Sequence, residues 1–155
     1  MDSRRRDVLK AGGAVGVWSV LAAVGIAAPA QARDARNGGV FEAATLDDAL
    51  RALGAQDAAE SAAVRIAAPD VAEDGRAVTI SVASDIPRTE QIVILIEENP
   101  YKVAASFRLS GAMAPAIQTR VKMARTTRVH ALVKAEGRLF VARREVTVTV
   151  GGCGT

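Results

Sequence analysis

A single cysteine, a single histidine and a single tryptophan are present in this chain of 155 residues, and aromatic residues make up only 3% of it. Each scarcity excludes something. One cysteine, Cys153, closes no intrachain disulfide. One histidine, His130, makes no Cys/His cluster with the ligand spacing of a zinc site. Few aromatics leave no stacking platform for single-stranded nucleic acid, and Trp18 lies ahead of the body of the chain. No glycine-rich phosphate loop follows a strand, because Gly12-Gly13-Ala14-Val15-Gly16 sits in an N-terminal apolar stretch. Ser84-Asp85 and Ser110-Gly111 have no histidine patterned around them as a base. The pairs Asp47-Asp48 and Glu97-Glu98 are neighbours in sequence that need not face each other, and they read as solvated. Arg120, Lys122, Arg125 and Arg128 read as the solvated face of a strand, with an anion-guiding stripe as the alternative. His130, among apolar residues, reads as a satisfied or surface side chain rather than a ligand. No self-contained catalytic site, metal site or cofactor site emerges.

What the chain does have begins at its front. Residues 3–10 read SRRRDVLK, an apolar stretch runs from Ala11 to Ala28, and Ala30-Gln31-Ala32 follows. A basic start, a moderately apolar middle and an A-x-A site make residues 1–32 an export signal that is removed. A membrane span is the weaker reading, since glycine and alanine keep the stretch weakly hydrophobic and a cleavage site follows directly. Arg5-Arg6 with Val8-Leu9-Lys10 resembles the twin-arginine pattern, a receptor-read address rather than an anchor. The mature chain would start at Arg33 in the periplasm. Arg4, Arg5, Arg6 and Lys10, against Asp2 and Asp7, take most of the formal charge of +3 with the signal, so the basic balance does not argue for nucleic acid. An oxidising compartment with one unpaired cysteine points to an intermolecular bond or a reactive thiol.

Residues 33–44, with Asn37-Gly38-Gly39, read as a flexible lead-in, and residues 45–150 as one domain. Thr45 with Asp48 predicts a helix N-terminus, Leu46, Leu50 and Leu53 share one helical face, and Gly54 is the stop. The period then changes to two. Val64 to Ile66, Val78 to Val82, residues 91–97, residues 104–109, Ile117 to Met123, Val129 to Ala135 and Leu139 to Val150 read as strands. Pro69-Asp70, Glu73-Asp74-Gly75, Ile86-Pro87, Asn99-Pro100, Ser110-Gly111 and Glu136-Gly137 break or turn the chain between them. The last run changes phase at Arg143-Arg144, which predicts a bulge. About seven short strands after one helix predict an all-β sandwich and exclude a βαβ architecture.

Ile92-Val93-Ile94-Leu95-Ile96 is apolar on both parities. The outer face of a sandwich strand normally meets water. Something must therefore cover this one, either the leucine face of the N-terminal helix or a partner protein.

The chain ends VTVTVGGCGT. Valines stop at Val150, and Gly151, Gly152 and Gly154 surround Cys153. Glycine lifts the Cβ restriction on φ and ψ, so residues 151–155 read as a thin, flexible arm reaching about 10 Å from Val150 to Cys153. Its thiol is a nucleophile through its thiolate fraction, and no basic side chain adjoins it to enlarge that fraction. Cys153 reads as an attachment point on which other proteins act.

This ending resembles the C-terminal GGCGG arm of the SoxY family, the sulfur-carrier subunits of the bacterial thiosulfate-oxidising (Sox) system. The likeness extends upstream through IAAPDVAEDGRAVTISV, ILIEENPYKVAASFRLSGAMAPAIQTRVKMA and VHALVKAEGRLFVARREVTVTVGGCG, nearly all of the mature chain. The resemblance implies an immunoglobulin-like sandwich and a heterodimer with a signal-less SoxZ-like subunit, exported while bound. It favours that partner as the cover of strand 92–96. It implies that a haem-containing enzyme couples thiosulfate to Cys153, that a manganese thiosulfohydrolase releases sulfate, and that a molybdenum-haem sulfur dehydrogenase oxidises the remaining sulfane. Cys153 is then the covalent carrier, Gly151, Gly152 and Gly154 form its arm, and the subunit itself has no cofactor and no catalysis. Thr155 stands where the motif has glycine and gives a bulkier, stiffer end. The alternative is a periplasmic immunoglobulin-like binding or adhesion module whose Cys153 makes an intermolecular disulfide.

Overall fold

The computed structural model describes residues 38–111 and 113–151. The expected signal over 1–32 and the arm residues beyond Gly151, Cys153 among them, lie outside the described residues.

Among the described residues, two short helices precede the strands, α1 over Gly38–Phe41 and α2 over Leu46–Ala52. Thr45 is extended and caps α2 by accepting the Asp48 N–H at 3.1 Å, while its hydroxyl donates to the Asp48 carboxylate at 2.6 Å. That hydrogen bond, and then the Arg51 guanidinium 2.7 Å away, hold the Asp48 carboxyl below its ordinary pKa. At the far end the Ala55 N–H bonds the Leu50 carbonyl and the Gly54 N–H bonds that of Arg51. With Gly54 at φ 65, this is the paired closure that ends helices in a left-handed residue.

The described residues then form nine strands: β1 Ala59–Glu60, β2 Val64–Ala67, β3 Val71–Asp74, β4 Val78–Ser84, β5 Thr89–Ile96, β6 Val103–Arg108, β7 Ala116–Val121, β8 Thr127–Ala135 and β9 Arg138–Val150. The larger sheet runs β1-β9-β8-β5-β6, with β3 also pairing β9, and the smaller is β2-β4-β7. Glu136-Gly137, both at positive φ, makes the two-residue hairpin turn from β8 into β9. β9 is antiparallel to β8, and β1 and β3 take its other edge in succession, both parallel. This is the expected all-β sandwich with a short helix before it.

Between the sheets lies one apolar cluster, built on Ile80, Val82, Ile92, Ile94, Ile96, Val129, Val133 and Val146. A second cluster lies on the opposite face of the larger sheet. There Val93, Leu95, Leu132 and Val141 meet Val40, Ala49 and Ala55, with Leu46, Leu50 and Leu53 packed against them. The cover of strand 92–96 is therefore the chain's own helical segment. The partner interface expected on that strand is corrected: its outer face is already buried.

Three further expectations differ from the structure. Within the lead-in placed at 33–44, Gly38–Phe41 is helical, and Val40 and Ala43 are buried as part of the layer that covers the sheet. Two strands go unread in the sequence. β1 is too short to show a period, and β3 exposes Val71, Glu73 and Asp74, so only its backbone pairing with β9 makes it a strand. The phase change at Arg143-Arg144 is not a bulge in the β8 ladder, whose register runs unbroken from Thr127↔Val146 to Ala135↔Arg138. Instead, the first half of β9 packs Leu139 and Val141 under the helical layer, beyond which Arg143 and Glu145 are exposed. The register shifts fall in β5, at Thr89/Gln91 and Ile94/Leu95.

Candidate functional site

Among the described residues, no three or more His, Cys, Asp or Glu are placed to hold a metal, and no helix is long and apolar enough to cross a membrane. The sequence candidates are scattered. Asp47 and Asp48 lie in the first turn of α2. The Ser84 hydroxyl is buried against that of Thr89 at 2.9 Å, with no base beside it, while Asp85 pairs with Arg65. Arg120 and Lys122 are exposed at the end of β7, whereas Arg125 and Arg128 pair with Glu98 and Glu97 at 3.5 and 3.7 Å. These four cations do not make one stripe.

His130 is buried on the outer face of β8, opposite Leu95 on β5 and Arg143 on β9. Its Nε2 lies 3.2 Å from the Glu97 carboxylate, which Arg128 shares. Burial, the larger effect, pushes the imidazole below its ordinary pKa, and the Glu97 hydrogen bond and charge pull it back only in part. The unfolded chain therefore takes up this proton at a higher pH than the folded one. Stability from this group is complete above about pH 6.5 and is lost as the pH falls from there through the folded value. The melting temperature should drop between pH 7.5 and pH 5.5, and His130→Gln should flatten that part of the profile. An unchanged slope in the variant would assign the dependence to other groups.

The distinctive construction is at the end of β9. Beyond Val146, the last residue of β9 to pair with β8 (Thr127↔Val146), the strand is held by β3 on one side, with Val71↔Thr147, Ala72↔Val148 and Asp74↔Val150 in register. The Thr149 hydroxyl donates to the Glu73 carbonyl at 2.8 Å. On the other side the Thr126 hydroxyl accepts the Val148 N–H at 3.0 Å. The Gly75 N–H bonds the Val150 carbonyl at 2.7 Å, and the Gly75 carbonyl accepts the Met123 N–H at 2.7 Å. Met123 is fully buried in the inter-sheet core and pins the 122–126 turn to the domain.

That turn has a brace. The Asn99 side-chain amide donates to the Lys122 carbonyl at 2.7 Å and accepts the Ala124 N–H at 3.0 Å. Lys102 Nζ donates to the backbone carbonyl of Asn99 at 2.8 Å. The Ala124 carbonyl lies against the Cα of Gly151, where an added Cβ would overlap the Ala124 oxygen and stand 3.3 Å from its carbon. Of the residues read as the arm, only Gly151 is described, and at this position a side chain would force the Ala124 backbone to shift. Asn99-Pro100 is legible in sequence only as a turn, and nothing in the pattern links it to Gly151.

A family model for the sulfur oxidation protein SoxY matches residues 49–153, a span that includes Cys153. The solved structure of the sulfur carrier protein SoxY from Chlorobium limicola f thiosulfatophilum is similar at 38% identity and a TM-score of 0.61, covering 68% of this chain and 97% of that one. Two variants of the superoxide reductase neelaredoxin from Ignicoccus hospitalis share the fold alone, at 17% and 16% identity and a TM-score of 0.50 each. They cover 63% and 67% of this chain and 86% and 92% of theirs. A comparison with curated proteins returned no match.

Proposed function

Because the chain belongs to the SoxY family of sulfur oxidation proteins, we propose that it holds sulfur intermediates covalently on Cys153 while partner enzymes process them. The observation that carries this reading is the family match through Cys153, downstream of a strand end braced by β3 and the 122–126 turn. Gly152 and Gly154 put no side chain beside the thiol.

In the first step the Cys153 thiolate and the outer sulfur of thiosulfate join in an S–S bond, and two electrons pass to a haem-containing enzyme. Hydrolysis by a manganese enzyme then breaks the bond between the sulfane sulfur and the sulfonate. Water supplies the oxygen, sulfate leaves, and the sulfane sulfur stays on Cys153 as a persulfide for a sulfur dehydrogenase. The catalysts are the partners, and this chain supplies the attachment atom. A SoxZ-like subunit completes the carrier and binds a surface other than the outer face of β5, which α2 and its flanks occupy.

Intact-mass analysis of the protein from its native host, with and without thiosulfate, tests the reading. A thiosulfate-dependent adduct on the C-terminal peptide is the expected result. A disulfide dimer as the sole modification would favour the adhesion module instead. The proposed location is the periplasm, reached by the twin-arginine route. Changing Arg5-Arg6 to Lys-Lys should leave the protein in the cytoplasm as uncleaved precursor. Mature protein beginning near Arg33 in that variant would point to a different route.

A further inference from the structure

The carrier reading treats Gly151, Gly152 and Gly154 alike, as flexible links. At Gly151 the structure separates them. The first glycine is set into a closed circuit of backbone contacts: Val150 carbonyl to Gly75, Gly75 to Met123, Met123 through its turn to Ala124, and Ala124 back to Gly151. The links are two main-chain hydrogen bonds and one close approach, joined by the peptide bonds Met123-Ala124 and Val150-Gly151. The side chain that shapes the circuit is Asn99, whose amide spans the Lys122 carbonyl and the Ala124 N–H. An asparagine side chain offers a donor pair and an acceptor at a fixed separation, and here both ends bind the same turn.

We propose that Gly151 is the fixed root of the arm rather than part of its hinge, and that Asn99 is a positioning residue for the carrier. Gly151 is glycine because the Ala124 carbonyl occupies the space of a Cβ, not because the chain must swivel there. Asn99 bonds the N–H of the same residue, Ala124, and the Lys122 carbonyl before it, and so braces the turn that carries that carbonyl. Together they set the point and direction at which the chain leaves the domain. A short tether delivers its tip to a partner's channel only if its base points there, and a misdirected base lowers the fraction of productive encounters. Once the thiol is engaged, the chemistry at sulfur is unaffected. The defect should thus fall on the concentration dependence of loading rather than on its limiting rate.

This proposal rests on the carrier reading, and the experiment separates the two. The full mature chain, in complex with its partner subunit, is loaded with thiosulfate in a reconstituted thiosulfate-oxidising system, varying the carrier concentration. Gly151→Ala and Asn99→Ala should each raise the KM for the carrier by about tenfold, leaving kcat within about twofold. Alkylation of Cys153 by iodoacetamide should proceed at the wild-type rate in both, showing the thiol itself unaltered, and a urea midpoint close to that of the wild type should exclude a general loss of folding. Asn99→Asp keeps the acceptor for Ala124 and loses the donor to Lys122, and it gives the same shift in direction should truncation at Asn99 unfold the turn. A wild-type KM in the Gly151 variant overturns the proposal. So does a defect in Gly151→Ala with wild-type behaviour in both Asn99 variants, because added bulk inside the partner's channel would then account for it. Failure of the wild-type protein to load, or loading of Cys153→Ser, sinks the carrier reading itself.

Discussion

Cys153→Ser should abolish thiosulfate-dependent loading and turnover and leave the domain folded. The chemical half of this expectation comes from acidity. A serine hydroxyl ionises far above the pH at which a thiol already supplies a useful fraction of thiolate, so the variant presents no sulfur acceptor at neutral pH. The structural half comes from where the ladder stops. Asp74↔Val150 is the last pair of β3 with β9, and Cys153 lies beyond it. A residue three positions past the last ladder pair, among glycines, is expected to contribute little to stability, so the substitution should change it by no more than about 0.5 kcal/mol. Loading followed by intact mass, with a urea titration of the same sample, reads both halves. Wild-type turnover in the variant would remove Cys153 from the mechanism. Unfolding would make the cysteine structural.

Leu95→Ala should be the most damaging of the conservative core truncations on the outer face of the larger sheet, costing about 2–5 kcal/mol in the isolated protein. Leu95 is fully buried beneath the helical layer, where Leu46, Leu50 and Leu53 pack against its cluster. Removing its isobutyl group takes away apolar burial and leaves a cavity that α2, capped at Thr45 and closed at Gly54, has little freedom to fill. A loss of this size is a large part of the total stability of a small domain, about 5–15 kcal/mol. Urea unfolding should show a lower midpoint at an unchanged slope. A change within about 0.5 kcal/mol, with a weakened partner complex instead, would return the face to the partner.

Much of the fold is legible in the sequence because its signals are local. Thr45, Asp48 and Gly54 bracket a helix by side-chain and φ requirements that act within one turn. Glu136-Gly137 makes a hairpin for similar reasons. The unbroken apolar run at 92–96 states that two faces are buried but not what buries the second, because covering is a tertiary fact. The same limit hides β3, whose exposed side chains carry no period. It also explains the false bulge in β9: a strand whose outer face passes from beneath a helical layer into solvent changes its polarity pattern without gaining a residue. At the candidate site, Cys153 stands out in sequence through composition alone. Its support does not. Asn99, Thr126, Gly75 and Ala124 are ordinary loop residues until β3 and the 122–126 turn bring them to the end of β9.

β9 has a mechanical consequence. It runs from Arg138 to Val150 through the larger sheet, bonded to β8 along one edge and to β1 and β3 along the other. A pull on the chain at Gly151 acts along the axis of that strand. Its hydrogen bonds, perpendicular to the strand toward β8 and slanted toward the parallel β1 and β3, are then strained side by side instead of opening one after another as in peeling. The parallel strands β1 and β3 bear the load together with β8, and the Arg144–Asp70 ion pair at 2.7 Å ties the middle of the strand to the chain leading into β3. A tail gripped inside another protein is thus anchored in shear, and drawing it free strains the whole sheet rather than unravelling its last strand.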